Sequence, residues 1–284
     1  MSIDFGKLPP KGSTILVSFS GGMTSGFMAR AMQLRLRDYF VLVYVFANTG
    51  QEREETLEFV HKCDTEFSLN VVWVEAVVSP TVGVGTTHKV VTYETATRGG
   101  SLFESMVKKY GIPNTNFPHC TRELKLRPIA SYMLGAGGKY YTAIGIRADE
   151  YRRVRASAEA RNIIYPLAGL WCVDKEIVNT FWSRQQFTLN LSEHEGNCAW
   201  CWKKSFKKHF RLISENPGIY DTPMHLEENY ALAGPSSHPQ VFFRGGKSTK
   251  DLFEMATEAT GKELGNYLEQ SDGCDESCEI YSTQ

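Results

Sequence analysis

The stretch ILVSFSGGMTSGFMARAM, from Ile15 to Met32, sets an apolar run against a cluster of glycine and hydroxyl residues. Ile15, Leu16, Val17 and Phe19 have the branched and aromatic composition of a short buried strand. Ser20-Gly21-Gly22 interrupts it, because two glycines permit backbone angles and close approaches that other residues forbid. After Thr24-Ser25 the apolar residues Phe27, Met28, Ala31, Met32 and Leu34 return at helical spacing. Strand, glycine turn and helix together aim backbone N–H groups and a helix N-terminus at an anion. The lysine-bearing loop G-x-x-x-x-G-K-[ST] and the dinucleotide fingerprint G-x-G-x-x-G do not occur in this segment. The expectation is therefore a phosphate loop of another kind, set against an ordinary strand-to-helix turn with hydroxyl caps.

Outward from this stretch, strands and helices alternate. Phe40 to Phe46 is a continuous apolar run, as in a parallel sheet covered on both faces, and it stops at Ala47-Asn48-Thr49-Gly50. Helical periodicity resumes from Glu54 to Cys63, and Val71 to Val74 is a third strand. Ser79 to Gly100, rich in Thr, Val and Gly, reads as a loop or hairpin near the site. Helices are expected over Leu102 to Tyr110 and over Leu124 to Leu134, the latter kinked or started by Pro128. A fourth strand, Tyr140 to Gly145, leads into the charged segment Ile146 to Arg155. Ile163 to Leu167 is short and extended, and Asp174 to Phe187 is helical. This alternation predicts an α/β protein with a Rossmann-like doubly wound parallel sheet and helices on both faces. Such sheets bind ligands beyond the carboxyl ends of their strands, where Ser20–Ser25, Ala47–Gly50 and Gly145–Glu150 all fall. The pattern weakens beyond Pro217, which divides the chain into a nucleotide-binding domain (1–216) and a small helical appendage with a cysteine-containing tail (217–284).

The 284 residues suffice for a substantial core. With 31 basic against 32 acidic residues, no overall field calls for nucleic acid or a membrane. Basic clusters do occur at Arg152-Arg153 with Arg155, and at Lys203-Lys204 and Lys207-Lys208 with Arg211. No apolar run is long enough for a membrane span, and the N-terminus lacks a basic-then-apolar signal. A soluble, cytoplasmic protein is expected. Its seven cysteines then favour thiol, metal or redox chemistry over a disulfide framework.

Cys198-Ala199-Trp200-Cys201 is a C-x-x-C pair, the spacing at which one turn offers two thiolates to a metal, although a lone redox pair has the same spacing. Cys120 stands 78 positions upstream in FPHCTRELKLRP. Arg122 and Lys125 follow the first site and Lys203-Lys204 the second, where they favour thiolates and offset cluster charge. Cys274 and Cys278 form a C-x-x-x-C among acidic residues near the terminus. Cys63 and Cys172 sit in apolar helical contexts and read as buried, inert thiols. Spacing alone fits either a zinc site or an iron–sulfur cluster.

SFSGGMTSGFM resembles the SGG-x-[DT]-S pyrophosphate loop of the adenine-nucleotide α-hydrolase superfamily. VFANTGQEREETLEFV, CTRELKLRP, AIGIRADEYRR and IIYPLAGLW resemble, in the same order, blocks of the phosphoadenylyl-sulfate (PAPS) reductase family. The likeness runs from about Ile15 to Ser205. It implies that Ser20, Gly21, Gly22, Thr24 and Ser25 hold nucleotide phosphates, with Ala47, Asn48, Thr49 and Gly145 lining the same site. Arg147, Arg152 and Arg153 are positioned to pair with phosphate or sulfate oxygens. The adenylyl-sulfate reductases of that family bind a 4Fe–4S cluster through Cys-Cys and a distant C-x-x-C. This chain has His119-Cys120 and Cys198-x-x-Cys201, so the resemblance implies Cys120, Cys198 and Cys201 as ligands. The fourth is open among Cys274, Cys278, Cys172, His119 and an external group. The family's reducing cysteine lies in a C-terminal E-C-G-[LI]-H that is missing here, and Cys278 in ESCE is the nearest counterpart.

Three functions follow as expectations. In the first, a PAPS reductase-like oxidoreductase reduces adenylyl or phosphoadenylyl sulfate to sulfite beside a 4Fe–4S cluster, with Cys278 as the attacking thiolate, Arg147 in the catalytic site and a thioredoxin-like electron donor. In the second, an ATP-dependent sulfurtransferase or nucleic-acid-modifying enzyme uses Mg2+ held by Asp149 or Glu150, because the loop position often occupied by aspartate is Thr24 here. In the third, a non-enzymatic protein binds nucleotide and metal.

Overall fold

The computed structural model describes residues 8–192, 194–196 and 198–259. The elements run β1 (Thr14–Ser18), α1 (Met23–Leu36), β2 (Val41–Asn48), α2 (Glu54–Phe67), β3 (Val72–Val77), β4 (Thr87–Val91) and α3 (Ser101–Tyr110). They continue with α4 (His119–Thr121), α5 (Arg127–Gly135), β5 (Tyr141–Ala143), β6 (Ile163–Ile164), α6 (Lys175–Ser183), α7 (Phe206–Glu215), α8 (Asp221–Tyr230) and α9 (Thr249–Glu258).

One six-stranded sheet has the order β4-β3-β2-β1-β5-β6. Five strands are parallel, and β4 alone runs against β3, pairing Trp73 with Val91 through Val77 with Thr87. The chain winds outward from β1 through β2 to β3 and later returns to the other side of β1 as β5. The switch in direction therefore lies between β1 and β5, where such sheets open a crevice.

Alternation along the strands explains the two covered faces. Ile15, Val17 and Phe19 share one cluster with Tyr44, Phe46 and Trp73, under Met28 and Met32 of α1, Leu57 and Phe59 of α2, and Trp182 of α6. Leu16, Val45, Ala47 and Val74 point the other way and pack under Ile129 and Met133 of α5. The doubly wound α/β fold expected from the sequence is the one observed. A further cluster joins α3 to the C-terminal helices, with Phe103 and Met106 against Trp200, Leu212, Tyr220, Leu226, Phe242 and Leu252.

Several boundaries differ from the sequence reading. Of the two alternatives for Ser79–Gly100, loop or hairpin, the hairpin is observed, with β4 pairing antiparallel to β3. The third strand extends to Val77, beyond Val74, because β4 supplies hydrogen bonds along it. Pro128 stands in the first turn of α5, as expected, but the helical path reaches it from His119 through a wide turn, Arg122–Leu126, rather than from Leu124. The helix after Asp174 ends at Ser183, not at Phe187. No helix among the described residues is long and apolar enough to cross a membrane.

Candidate functional site

The loop after β1 is held by its own hydroxyls. Ser25 Oγ accepts from the Ser20 amide at 3.2 Å and from the Ser20 hydroxyl at 3.1 Å, and donates to the Gly22 carbonyl at 2.8 Å. Only one of the two glycines needs glycine's backbone freedom. Gly21 has φ +83°, and a Cβ there would stand 2.6 Å from Thr56 Cγ2. Gly22 has φ −96° and precedes α1 as an extended residue, and a Cβ there meets nothing closer than Ser20 Oγ at 4.0 Å. No side chain caps α1. The space above Gly22 and the first-turn N–H groups thus lies open toward the crevice, which is the geometry an anion uses.

Residues following β5 close the loop from the side. Gly145 packs against the loop, where a Cβ would lie in van der Waals contact, 3.4 Å from Ser25 Cα. Arg147 Nη1 donates to Thr24 Oγ1 at 3.2 Å, which ties the charged segment to the loop. Its guanidinium also pairs with Asp149 at 3.0 Å and Glu150 at 3.4 Å, and Arg153 pairs with Glu150 at 2.5 Å. The Arg147 guanidinium holds the Asp149 carboxyl below the usual carboxylate range. Arg152 is exposed on the same short turn. The segment therefore sets two carboxylates and the Arg147 and Arg153 guanidinia beside the loop.

The end of β2 faces a different way. Ala47 packs into the cluster beneath α5. Asn48 is fully buried, donating to Glu75 Oε1 at 2.6 Å and to the Thr97 carbonyl at 2.9 Å. Burial works to raise the Glu75 pKa, but bonds from Lys89, Thr97 and Asn48 outweigh it and hold the carboxyl below its ordinary value. Asn48 is thereby a structural tie between β2, β3 and the Thr97 loop. Thr49 donates to Glu52 at 2.8 Å and lies 3.6 Å from Cys198 Sγ.

The C-x-x-C segment is mounted on this strand end. The Ala199 amide donates to the Gln51 carbonyl at 3.1 Å, and the Trp200 indole donates to Gln51 Oε1 at 2.8 Å. Cys198 and Cys201 pack together, both buried. The Trp202 indole donates to Cys120 Sγ at 3.4 Å, so the upstream cysteine is tied to the residue after Cys201. Lys204 is almost wholly buried, and its ammonium bonds the His194 and Gly196 carbonyls at 2.8 and 2.6 Å. Lys125 stands 4.0 Å from Glu52. Gln51, Glu52 and Trp202 have no role in the sequence reading, and Lys204, expected to favour thiolates, bonds two backbone carbonyls. Gln51 and Glu52 stand inside the quoted VFANTGQEREETLEFV block, and Lys204 follows the second cysteine pair, so the signal was present without a contact to interpret it.

The remaining thiols separate clearly. Cys63 is buried in α2, and burial pushes its thiol well up. Cys172 was expected to be buried in a helix; it is exposed, with a left-handed backbone of φ 49° at the end of a wide helical turn. Cys274 and Cys278 lie outside the described residues. Burial, then the nearby Arg122, lowers the His119 imidazole's proton affinity.

Thiolates are soft donors of the kind that bind iron or zinc, and Cys120 accepts an indole N–H while Cys198 has a hydroxyl beside it. Among the described residues, no group of three or more His, Cys, Asp or Glu side chains converges as a metal site.

No protein-family model matches the chain. It is 30% identical, over 285 residues, to the uncharacterized nin region protein ORF290 of Escherichia phage lambda, a match covering 95% of this chain and 96% of the lambda protein. The chain belongs to the ORF290 family. Coverage on this scale makes the match one of whole chains rather than of the Ser20–Ser25 loop alone. The ORF290 family therefore spans both the crevice and the cysteine loop.

Proposed function

We propose that the protein is an adenine-nucleotide enzyme of PAPS reductase type, acting on a phosphosulfate nucleotide at the Ser20–Ser25 loop. The observation that carries this reading is the contact between Thr49 and Cys198. Through it, thiol chemistry sits at the carboxyl end of the same sheet whose β1–β5 switch point opens beside the phosphate loop. The phosphates lie against the α1 N-terminus and the Arg147 fork, which suits tetrahedral oxyanions.

In the reductive step a thiolate attacks the sulfate sulfur. The bond from sulfur to the phosphate-bridging oxygen breaks, and the adenine nucleotide leaves with that electron pair. An external dithiol of thioredoxin type then attacks the enzyme sulfur, releases sulfite and becomes a disulfide, which accounts for two electrons. The resemblance supplies Cys278 as the attacking thiol. Cys120, Cys198 and Cys201, with Cys274 as a fourth candidate, would hold a 4Fe–4S cluster, which would add a fixed charge distribution beside the nucleotide.

A second reading has its own observation. Asp149 and Glu150 beside Thr24 give the anion site two carboxylates, which suits a Mg2+-bridged triphosphate better than a bare sulfate. In that reading ATP activates an acceptor and pyrophosphate is released.

One experiment separates the two. Protein purified without oxygen is incubated with adenylyl sulfate or phosphoadenylyl sulfate plus dithiol, and separately with ATP and Mg2+. Sulfite from the sulfate donors supports the first reading; pyrophosphate from ATP alone replaces it with the second. Neither product from any nucleotide overturns both.

A further inference from the structure

Segments 198–211 and 244–250 contain eight Lys and Arg residues and no Asp or Glu, in a chain whose overall charge is −1. They lie far apart in sequence, yet the fold places them side by side. The Arg244 guanidinium donates to the Lys203 carbonyl, and the His209 ring packs edge-on against Phe243 at 4.9 Å. The second segment is a tight turn locked by reciprocal bonds between Phe243 and Lys247 at 3.0 and 3.3 Å. At its tip Gly245 and Gly246 are exposed, with φ 67° and 69°, and an added Cβ would meet nothing at either.

Gathering like charges on a fixed scaffold costs stability through mutual repulsion, unless a polyanion or counterions offset it. Glu215 pairs with Arg211 at 2.8 Å and Asp251 is engaged in capping Ser248 at the start of α9, while neither segment supplies a carboxylate of its own. Lys203 lies over the Trp202 ring at 5.4 Å, and the half-buried rings of Phe206 and Phe210 are stacked at 14° on the same helix. Fixed cations with aromatic rings between them form the usual surface for a single-stranded phosphate backbone. The surface adjoins the cysteine loop, because Lys203 is two residues from Cys201.

We propose that Lys203, Lys207, Arg244, Lys247 and Lys250 bind the backbone of single-stranded nucleic acid and bring an acceptor nucleotide to the cysteine loop. This deepens the second reading above and rests on it for the acceptor's role, while the binding itself is independent of nucleotide chemistry.

The full-length protein is titrated into fluorescently labelled single-stranded DNA, single-stranded RNA of the same sequence, and the DNA duplex, at several salt concentrations. Lys207→Gln/Lys250→Gln is compared with Lys62→Gln/Lys139→Gln, which removes equal charge from exposed positions elsewhere. The expected result is a preference for a single strand over the duplex. The patch variant weakens binding by about tenfold and lowers the logarithmic salt slope by about 1.4, as for two lost phosphate contacts, whereas the control stays at wild type. Which strand binds more tightly identifies RNA or DNA as the acceptor. No binding at low salt, a preference for duplex, or equal loss in both variants overturns the surface. Strand binding without ATP turnover leaves the surface standing and overturns the second reading; turnover without strand binding does the reverse.

Discussion

Gly21 and Gly22 are neighbours with the same side chain and opposite reasons for it. Gly21 is a requirement of the fold, since φ +83° and the Thr56 methyl group exclude any Cβ. Gly21→Ala is expected to lower unfolding free energy by roughly 1–3 kcal/mol, the scale of a strained backbone position. Gly22→Ala should stay close to wild type in chemical denaturation, and a large loss there would contradict the distinction. The sequence announced two glycines at a strand end, but which one the protein itself needs depends on Thr56, thirty-five residues away from Gly21. Arg147 was legible as a cation after a strand, while its bond to Thr24 was not. Arg147→Lys should weaken nucleotide binding, because an ammonium cannot hold Thr24 and pair bidentately with an oxyanion at once. Unchanged affinity and turnover would reduce Arg147 to a partner of Asp149 and Glu150. Cys172 was misread because local apolar composition cannot report a left-handed backbone at a turn's end.

At the scale of elements, the cysteine loop owes its position to strand β2 and to one buried ammonium. Lys204 bonds two carbonyls just before Cys198, and Lys204→Met leaves both unsatisfied. The variant should lose roughly 1–3 kcal/mol of stability and alkylate faster at Cys198; wild-type behaviour in both assays would remove the clamp. If the thiols hold a cluster, anaerobic protein contains iron and acid-labile sulfide. Substituting Ser for Cys120, Cys198 or Cys201 then removes most of the iron, because a hydroxyl is a poor exchange for a soft thiolate, whereas Cys63→Ser retains it. Colourless protein with zinc and no acid-labile sulfide would exclude the cluster. Parallel strands and their helices could be read from periodicity, since each carries its own apolar pattern. Strand β4 was legible only as part of a loop or hairpin, without bounds or register, because its alternation is weak and its state is set by pairing with β3.

For the molecule as a whole, the C-terminal helices close over a histidine that folding forbids to charge. His209 is buried, hydrogen-bonded through Nδ1 to the Tyr220 hydroxyl at 2.7 Å, and its Nε2 has no hydrogen-bond partner among the described residues. Burial, reinforced by Lys204 and Arg244, holds its pKa down at about 3. The unfolded chain takes up this proton near pH 6.5 and the folded protein only near pH 3, so the unfolded state binds more protons between those values. The stabilisation is complete above the unfolded value and is lost as pH falls through this window, with a slope of up to about 1.4 kcal/mol per pH unit. His209→Gln should flatten that slope in urea unfolding between pH 6.5 and 4.5, and an unchanged slope would refute the assignment. The seating of the cysteine segment on the end of β2 was only partly legible: strand ends predicted where a ligand would lie, but the bonds that Gln51 accepts from Ala199 and Trp200 are properties of the assembled fold. The central claim is that adenine nucleotides bind with their phosphates over Gly22. It is tested most directly by calorimetric titration of adenylyl sulfate and ATP into wild-type protein and into Gly22→Val. The account predicts saturable binding to the wild type, and none to a variant that remains folded by circular dichroism. Equal affinity in both proteins, or no binding of either nucleotide to the wild type, would contradict it.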